Sequence, residues 1–260
     1  MKFTDYSPVE SAKNIKILIF EKKATVTMIT VKEAREQALS FLSQQGLNRA
    51  FIENASVKLD DAEKLINISR QKNHQKILEI GTFVGVSTAV LGLCLPESKI
   101  VCVDADLPVE LLNLLCVKQF EIKNKQTHLY FVEKVLKHFD ILTRFTLKRG
   151  FFSCGFPNQE DLDKVVNYGI NLEDREIIGR EVCEEYGKFD LAFLDADHRT
   201  EAVKQDLTLL SSYIKPEGTI ILHDVGLDYW GQQVRQGVEL FLKEHPQKKF
   251  NVEGEIGFIS

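Results

Sequence analysis

One stretch constrains the fold before any other. Lys76–Ile80 is a short apolar run of strand character, and a glycine-bounded loop follows from Gly81 to Gly85. Ser87–Leu95 then reads as a helix stopped by Pro96, and Ile100–Asp104 as a second strand. Strand, helix and strand in so few residues make a βαβ unit, so the strands lie parallel with a helix over one face. The pattern recurs downstream. Asp190–Asp195 precedes a helix at Arg199–Leu210, and Thr219–His223 follows the turn Lys215-Pro216-Glu217-Gly218 and precedes a helix at Gln232–Lys243. Phe250–Val252 and Ile256–Ile259 read as closing strands. The expected fold is therefore α/β, a doubly wound, mostly parallel Rossmann-like sheet with helices on both faces and a closing antiparallel strand near the C-terminus.

Before this core come two β-rich runs, Ile15–Phe20 and Ala24–Thr30, which read as a hairpin, and helices at Val31–Gln45 and Asp60–Gln71. Residues 1–55 are thus expected to form an N-terminal arm, and 56–260 the main domain. The arm suits pairing with a second copy, which makes a homodimer the assembly to look for. Thr146–Phe152 supplies a third strand. Even so, the span from Asp104 to Asp195 exceeds the ~60 residues of two βα units, so 107–188 carries an insertion with surplus helix at Leu111–Leu142 and Asp161–Tyr186.

Composition narrows the function. Of 260 residues, 33 are Lys or Arg and 38 Asp or Glu, a net charge of −5 that offers no basic stripe for nucleic acid or an anionic membrane. No apolar run is long enough to span a bilayer, and the start of the chain lacks signal-peptide character, so a cytoplasmic protein is expected. The cysteines, Cys94, Cys102, Cys116, Cys154 and Cys183, show no C-x-x-C spacing and read as reduced thiols, most of them buried.

The loop Gly81-Thr82-Phe83-Val84-Gly85 sits where a parallel sheet binds nucleotide-like ligands. Gly81 and Gly85 permit close backbone approach, and the helix starting near Ser87 offers free N–H groups. Phe83 stands where a dinucleotide fingerprint needs its second glycine, and no Lys-Ser/Thr completes a P-loop. Asp104, at the end of the next strand, suits the two hydroxyls of a ribose. Glu79 would repel a pyrophosphate but attract an amine or sulfonium. S-adenosylmethionine has that combination of groups.

The strand Asp190–Asp195 runs into Asp195-Ala196-Asp197-His198, and the next strand into His223-Asp224. Carboxyl ends of strands form the ligand edge, so Asp195 and Asp224 can share a hard divalent cation such as Mg²⁺. That cation would lower the pKa of an acceptor hydroxyl, with His198 placed to remove its proton. His223 is the weaker candidate, and His74, His128, His138 and His245 read as surface residues. Phe151, Phe152, Phe156, Tyr229 and Trp230 are aromatic candidates for an acceptor pocket.

With these residues in view the chain resembles the class I S-adenosylmethionine-dependent methyltransferases, above all small-molecule O-methyltransferases of the catechol and caffeoyl-CoA type and bacterial macrocin and cephalosporin-hydroxylase relatives. The resemblance runs over Ile77–Asp106 and Phe189–Phe241. It implies a cofactor set of Glu79, Gly81, Thr82, Gly85, Ser87 and Asp104, joined by Asp197, and a metal pair of Asp195 and Asp224. The family commonly has a lysine as base where His198 stands here. It also follows its second metal aspartate with asparagine, whereas Val225 stands here. The implied function is methyl transfer to a hydroxyl of a small molecule, metal-assisted. Metal-independent O- or N-methylation and cofactor binding without catalysis are the alternatives.

Overall fold

The computed structural model describes residues 29–71, 74–111, 124–155, 166, 176–226 and 228–260. The expected hairpin at Ile15–Phe20 and Ala24–Thr30 lies almost wholly outside them, as do residues 112–123, 156–165 and 167–175 of the 107–188 insertion, Cys116 and Phe156 among them.

Three helices lead in: α1 (Val31–Gln44), α2 (Arg49–Asn54) and α3 (Leu59–Gln71). Thr30 starts α1 with a reciprocal cap, its hydroxyl accepting from Glu33 N at 3.2 Å while Glu33 accepts from Thr30 N at 2.9 Å. The βαβ unit follows as β1 (Lys76–Ile80), α4 (Val86–Cys94) and β2 (Lys99–Asp104). Then come α5 (His128–His138), β3 (Phe145–Arg149), α6 (Gly179–Tyr186), β4 (Phe189–Leu194), α7 (Thr200–Ser211), β5 (Ile214–Leu222), α8 (Tyr229–Glu244), β6 (Phe250–Glu253) and β7 (Ile256–Ile259). Strand order is β3-β2-β1-β4-β5-β7-β6, parallel through β5 and antiparallel for the last pairings. The doubly wound expectation holds, with two closing strands.

Strand alternation sorts side chains into two cores. Ile77, Ile100, Cys102, Leu191, Phe193 and Ile221 pack under α1–α4. Leu78, Ile80, Val101, Val103, Ala192, Leu194, Ile220 and Leu222 pack with residues of α6, α7 and α8. By the same alternation Glu79, Asp104, Asp195 and His223 belong to the α1–α4 side. Because α1 and α3 contribute Ala38, Leu39, Leu42, Leu65 and Ile66 to that core, the leading helices share one hydrophobic interior with the sheet.

Two local expectations change. Lys215–Gly218 is not a turn ahead of β5 but lies within it. Phe189 pairs with Ile214 while Leu191 pairs with Thr219, so β5 carries an irregular stretch that absorbs Pro216, which has no N–H to give the ladder. The helix α2 was not expected from sequence. Asn48 caps it, its side chain accepting from Phe51 N at 3.0 Å, and Phe51 and Ile52 are fully buried.

Candidate active site

Strand order reverses between β1 and β4, so their carboxyl ends, with those of β2 and β5 alongside, open the crevice where such sheets take ligands. Gly81 leaves β1 at φ +83°, and its amide donates to Val103 O at 2.9 Å. A Cβ there would lie 1.9 Å from the backbone oxygen of Asp195, so a glycine is what lets the loop rest on the end of β4. Gly85 caps α4 with no side chain closing its first turn. Phe83, between the two glycines, is held at φ +47°, a conformation few side chains accept.

Asp104 is what holds that loop. Its Oδ2 accepts from Thr82 N at 2.8 Å, Thr82 Oγ1 at 3.1 Å and Phe83 N at 3.1 Å. Its Oδ1 accepts from Asp106 N at 2.7 Å and lies 3.0 Å from His128 Nδ1. Burial alone would raise its pKa, but the His128 charge and these donors outweigh it and hold the carboxyl below its ordinary value. His128, expected on the surface, is buried instead at the first residue of α5, with its ring edge-on to Phe83. Sequence reading missed it because no local motif links a histidine at a helix start to a strand end 24 residues earlier. His74 is buried as well, while His138 is exposed and His245 half-buried.

Glu79 is fully buried beneath the loop. Ser87 Oγ donates to it at 2.6 Å and Cys102 Sγ lies 3.3 Å away. Burial pushes its carboxyl up to about 7 despite those hydrogen bonds. Asp197 is locked to Arg199, accepting from its backbone N at 3.0 Å and from Nε at 2.9 Å. Arg199 also donates to Gly155 O at 2.9 Å, tying the segment after β4 to the segment after β3.

The other side of the crevice is acidic and imidazole-rich. Asp195 follows β4, with its amide on Ile80 O at 2.8 Å, and Asp224 follows β5 at φ +54°. His198 puts Nε2 3.2 Å from Asp224 Oδ2 and 3.7 Å from Asp195 Oδ1. That nitrogen is buried yet makes no hydrogen bond. Burial lowers the His198 pKa, but the two carboxylates overcome this and raise it to about 9. His223 Nδ1 lies 3.3 Å from Asp195 Oδ1, and its Nε2 3.8 Å from Asp61 Oδ2 on α3. Burial works against ionisation of both members of that pair, yet their mutual attraction keeps Asp195 well below and His223 well above the ordinary values. Exposed Tyr229 and Trp230 begin α8 beside this cluster, the Trp230 ring 6.3 Å from that of His198. Phe152 is core, and Val225 is fully buried among α8 and β7 residues, so it faces away from the cluster.

Comparison with known proteins shows the family and the fold. Residues 78–225 match a family described as a methyltransferase domain, more than half of the chain. The chain belongs to that family, and its sheet is the Rossmann-like sheet of the class I S-adenosylmethionine-dependent methyltransferases. Among solved structures it is similar to an O-methyltransferase from Bacillus cereus in complex with SAH, at 18% identity and TM-score 0.56, over 90% of this chain and 91% of that one. It is also similar to the SAH-bound methyltransferase PaMTH1 of Podospora anserina, at 16% identity and TM-score 0.53, over 87% of each chain. A third is the O-methyltransferase TomG of Streptomyces achromogenes in complex with SAM, at 17% identity and TM-score 0.50, over 87% of each chain. Compared with curated protein sequences, the chain matches none. Among the described residues no helix is long and apolar enough to cross a membrane.

Proposed function

We propose that the protein transfers the methyl group of S-adenosylmethionine to a hydroxyl of a small molecule, with a divalent cation assisting on the acceptor side. The observation that carries this reading is the juxtaposition at the β1/β4 reversal. A Cβ on Gly81 would fall 1.9 Å from the Asp195 carbonyl, so the cofactor-type loop adjoins the strand end that leads into the Asp195/His198/Asp224 cluster, and we read the two as walls of one crevice. On the first wall, Gly81, Thr82 and Gly85 let the backbone lie close to the cofactor. Asp104 is the acceptor for ribose hydroxyls, Ser87 and Glu79 stand beneath the loop, and Asp197 adds a carboxylate beyond β4.

On the second wall, Asp195 and Asp224 are the carboxylates for a cation. The donor set fits one, because His198 Nε2 is left buried and unbonded between them. A bound cation would supply Lewis acidity toward the acceptor oxygen. The chain's own contribution is to hold that oxygen in line with the methyl group and to keep water away. Tyr229 and Trp230, exposed at this mouth, offer flat apolar surface to the acceptor.

The test is calorimetric titration with S-adenosylhomocysteine, with NAD as control, followed by methyl-transfer assays against small hydroxylated acceptors before and after chelation. Micromolar binding of S-adenosylhomocysteine and none of NAD is expected, with turnover lost on chelation and restored by a divalent cation. Preference for NAD would overturn the cofactor assignment, and chelator-insensitive turnover the metal.

A further inference from the structure

We propose that His198 is the third protein ligand of the cation shared with Asp195 and Asp224, and that its imidazole biases the site toward a first-row transition ion such as Mn²⁺, Co²⁺ or Zn²⁺ over Mg²⁺. This rests on the metal-assisted reading above and gives His198 a different role from the base expected from the sequence. The single lone pair that would make His198 a base is committed to the cation instead.

Asp195, His198 and Asp224 each bring one ligand atom within 4.8 Å of the others, and no other set of three does so among the described residues. Ligands at right angles around a cation with bonds of about 2.1 Å sit ~3 Å apart, and opposed ligands ~4 Å. The 3.2 and 3.7 Å separations of Nε2 from the two carboxylates fall within that range. Nε2 is also the kind of atom a metal explains, a buried nitrogen without a hydrogen bond despite two acceptors nearby.

Hydrogen bonds hold the residues around Asp195 and His198 in place. The Asp195 amide is bonded to β1, and His223 Nδ1 meets its Oδ1 at 3.3 Å, as outer partners of metal carboxylates do. Asp197 and Arg199, flanking His198, are paired with each other. No ligand comes from Val225, which is in the core. Sites of carboxylate and water alone suit Mg²⁺, and adding imidazole moves preference toward transition ions.

The test uses the full chain stripped of metal. Mg²⁺, Mn²⁺ and Co²⁺ are titrated calorimetrically into wild type, His198→Asn and His198→Ala, and the Mn²⁺ forms are examined by electron spin-echo spectroscopy for nitrogen coordination. S-adenosylhomocysteine affinity, carried by the opposite wall, is read on the same samples to report folded protein. Co²⁺ affinity should fall at least about tenfold in both variants, while Mg²⁺ affinity changes less in His198→Asn, which keeps an oxygen donor. The nitrogen signal should be present in wild type and absent from His198→Asn although His223 remains. Equal Co²⁺ affinity in all three proteins, or a wild-type Mn²⁺ site without nitrogen, would overturn the proposal. Failure of every sample to bind S-adenosylhomocysteine would fault the cofactor reading instead, and the metal titrations would still decide the role of His198.

Discussion

His128 Nδ1 lies 3.0 Å from Asp104 Oδ1, joining the first residue of α5 to the carboxylate that ends β2. With Asp106 N on the same oxygen and three donors from Thr82 and Phe83 on the other, Asp104 has its roughly four lone-pair directions filled. A ribose hydroxyl must therefore displace a donor; the Thr82 hydroxyl is the side-chain donor that can rotate away, while the buried His128 ring keeps Asp104 oriented. His128→Ala should weaken S-adenosylhomocysteine binding about tenfold, ~1.4 kcal/mol, because Asp104 loses the partner that orients it. Asp104→Ala should abolish measurable binding. Wild-type affinity in Asp104→Ala would sink the ribose assignment.

The two walls separate by mutation. Asp195→Ala should keep S-adenosylhomocysteine affinity within about threefold, under 1 kcal/mol, and eliminate turnover, since its side chain belongs to the acceptor cluster. Calorimetry and a methyl-transfer assay on one preparation check this. Loss of cofactor binding together with turnover would mean that the walls are not independent.

Gly81→Ala should lose cofactor binding and at least about 2 kcal/mol of stability. Positive φ alone costs 1–2 kcal/mol in a residue with a side chain, and the new Cβ would collide with the Asp195 carbonyl. Denaturant unfolding measures it. A variant as stable as wild type would show that the Gly81 and Asp195 backbones part easily.

Two buried carboxyls give stability a pH slope. Burial raises Glu79 and Asp206 to about 7 each, so in the folded chain they keep protons that the unfolded chain releases near pH 4. Stability is therefore greater below that value and falls as pH rises toward 7, by about 1.4 kcal/mol per pH unit for each group. Asp206 is partnered by the Ser153 hydroxyl. Asp206→Asn should remove on the order of 2 kcal/mol from the loss between pH 5 and pH 7.5. Identical pH profiles for variant and wild type would refute the protonated state. Asp61, Asp104, Asp190 and Asp195 are shifted downward and act oppositely, losing stability as pH drops below about 4.

Trp230 is the only tryptophan in the chain and stands exposed beside the acceptor cluster. Its fluorescence should respond to an acceptor but little to S-adenosylhomocysteine. Trp230→Ala should raise KM for the acceptor more than it lowers kcat, a change in uniform binding. The reverse split would place Trp230 in transition-state stabilisation.

What the sequence by itself determined was local and periodic. Lys76–Ile80 was delimited to the residue, because apolar alternation and the glycine after Ile80 are both short-range signals. Gly81, Asp104, Asp195 and Asp224 were placed on one sheet edge by a rule of parallel topology that needs only strand ends. The tertiary structure decided everything that depends on distant segments meeting. His128 becomes a partner of Asp104 only because α5 docks its first turn on the end of β2. Asp61 reaches His223 only because α3 packs in the same core as β1 and β7. Val225 could be read as a position lacking a ligand, but only packing against β7 shows that no side chain there faces the crevice. His198 is read from sequence as a base beside the Asp195/Asp224 pair, but its distances of 3.7 and 3.2 Å from those carboxylates are set only where the ends of β4 and β5 meet. Periodicity reports which face a residue takes, whereas a side chain's partners are fixed by long-range packing, which one sequence does not display.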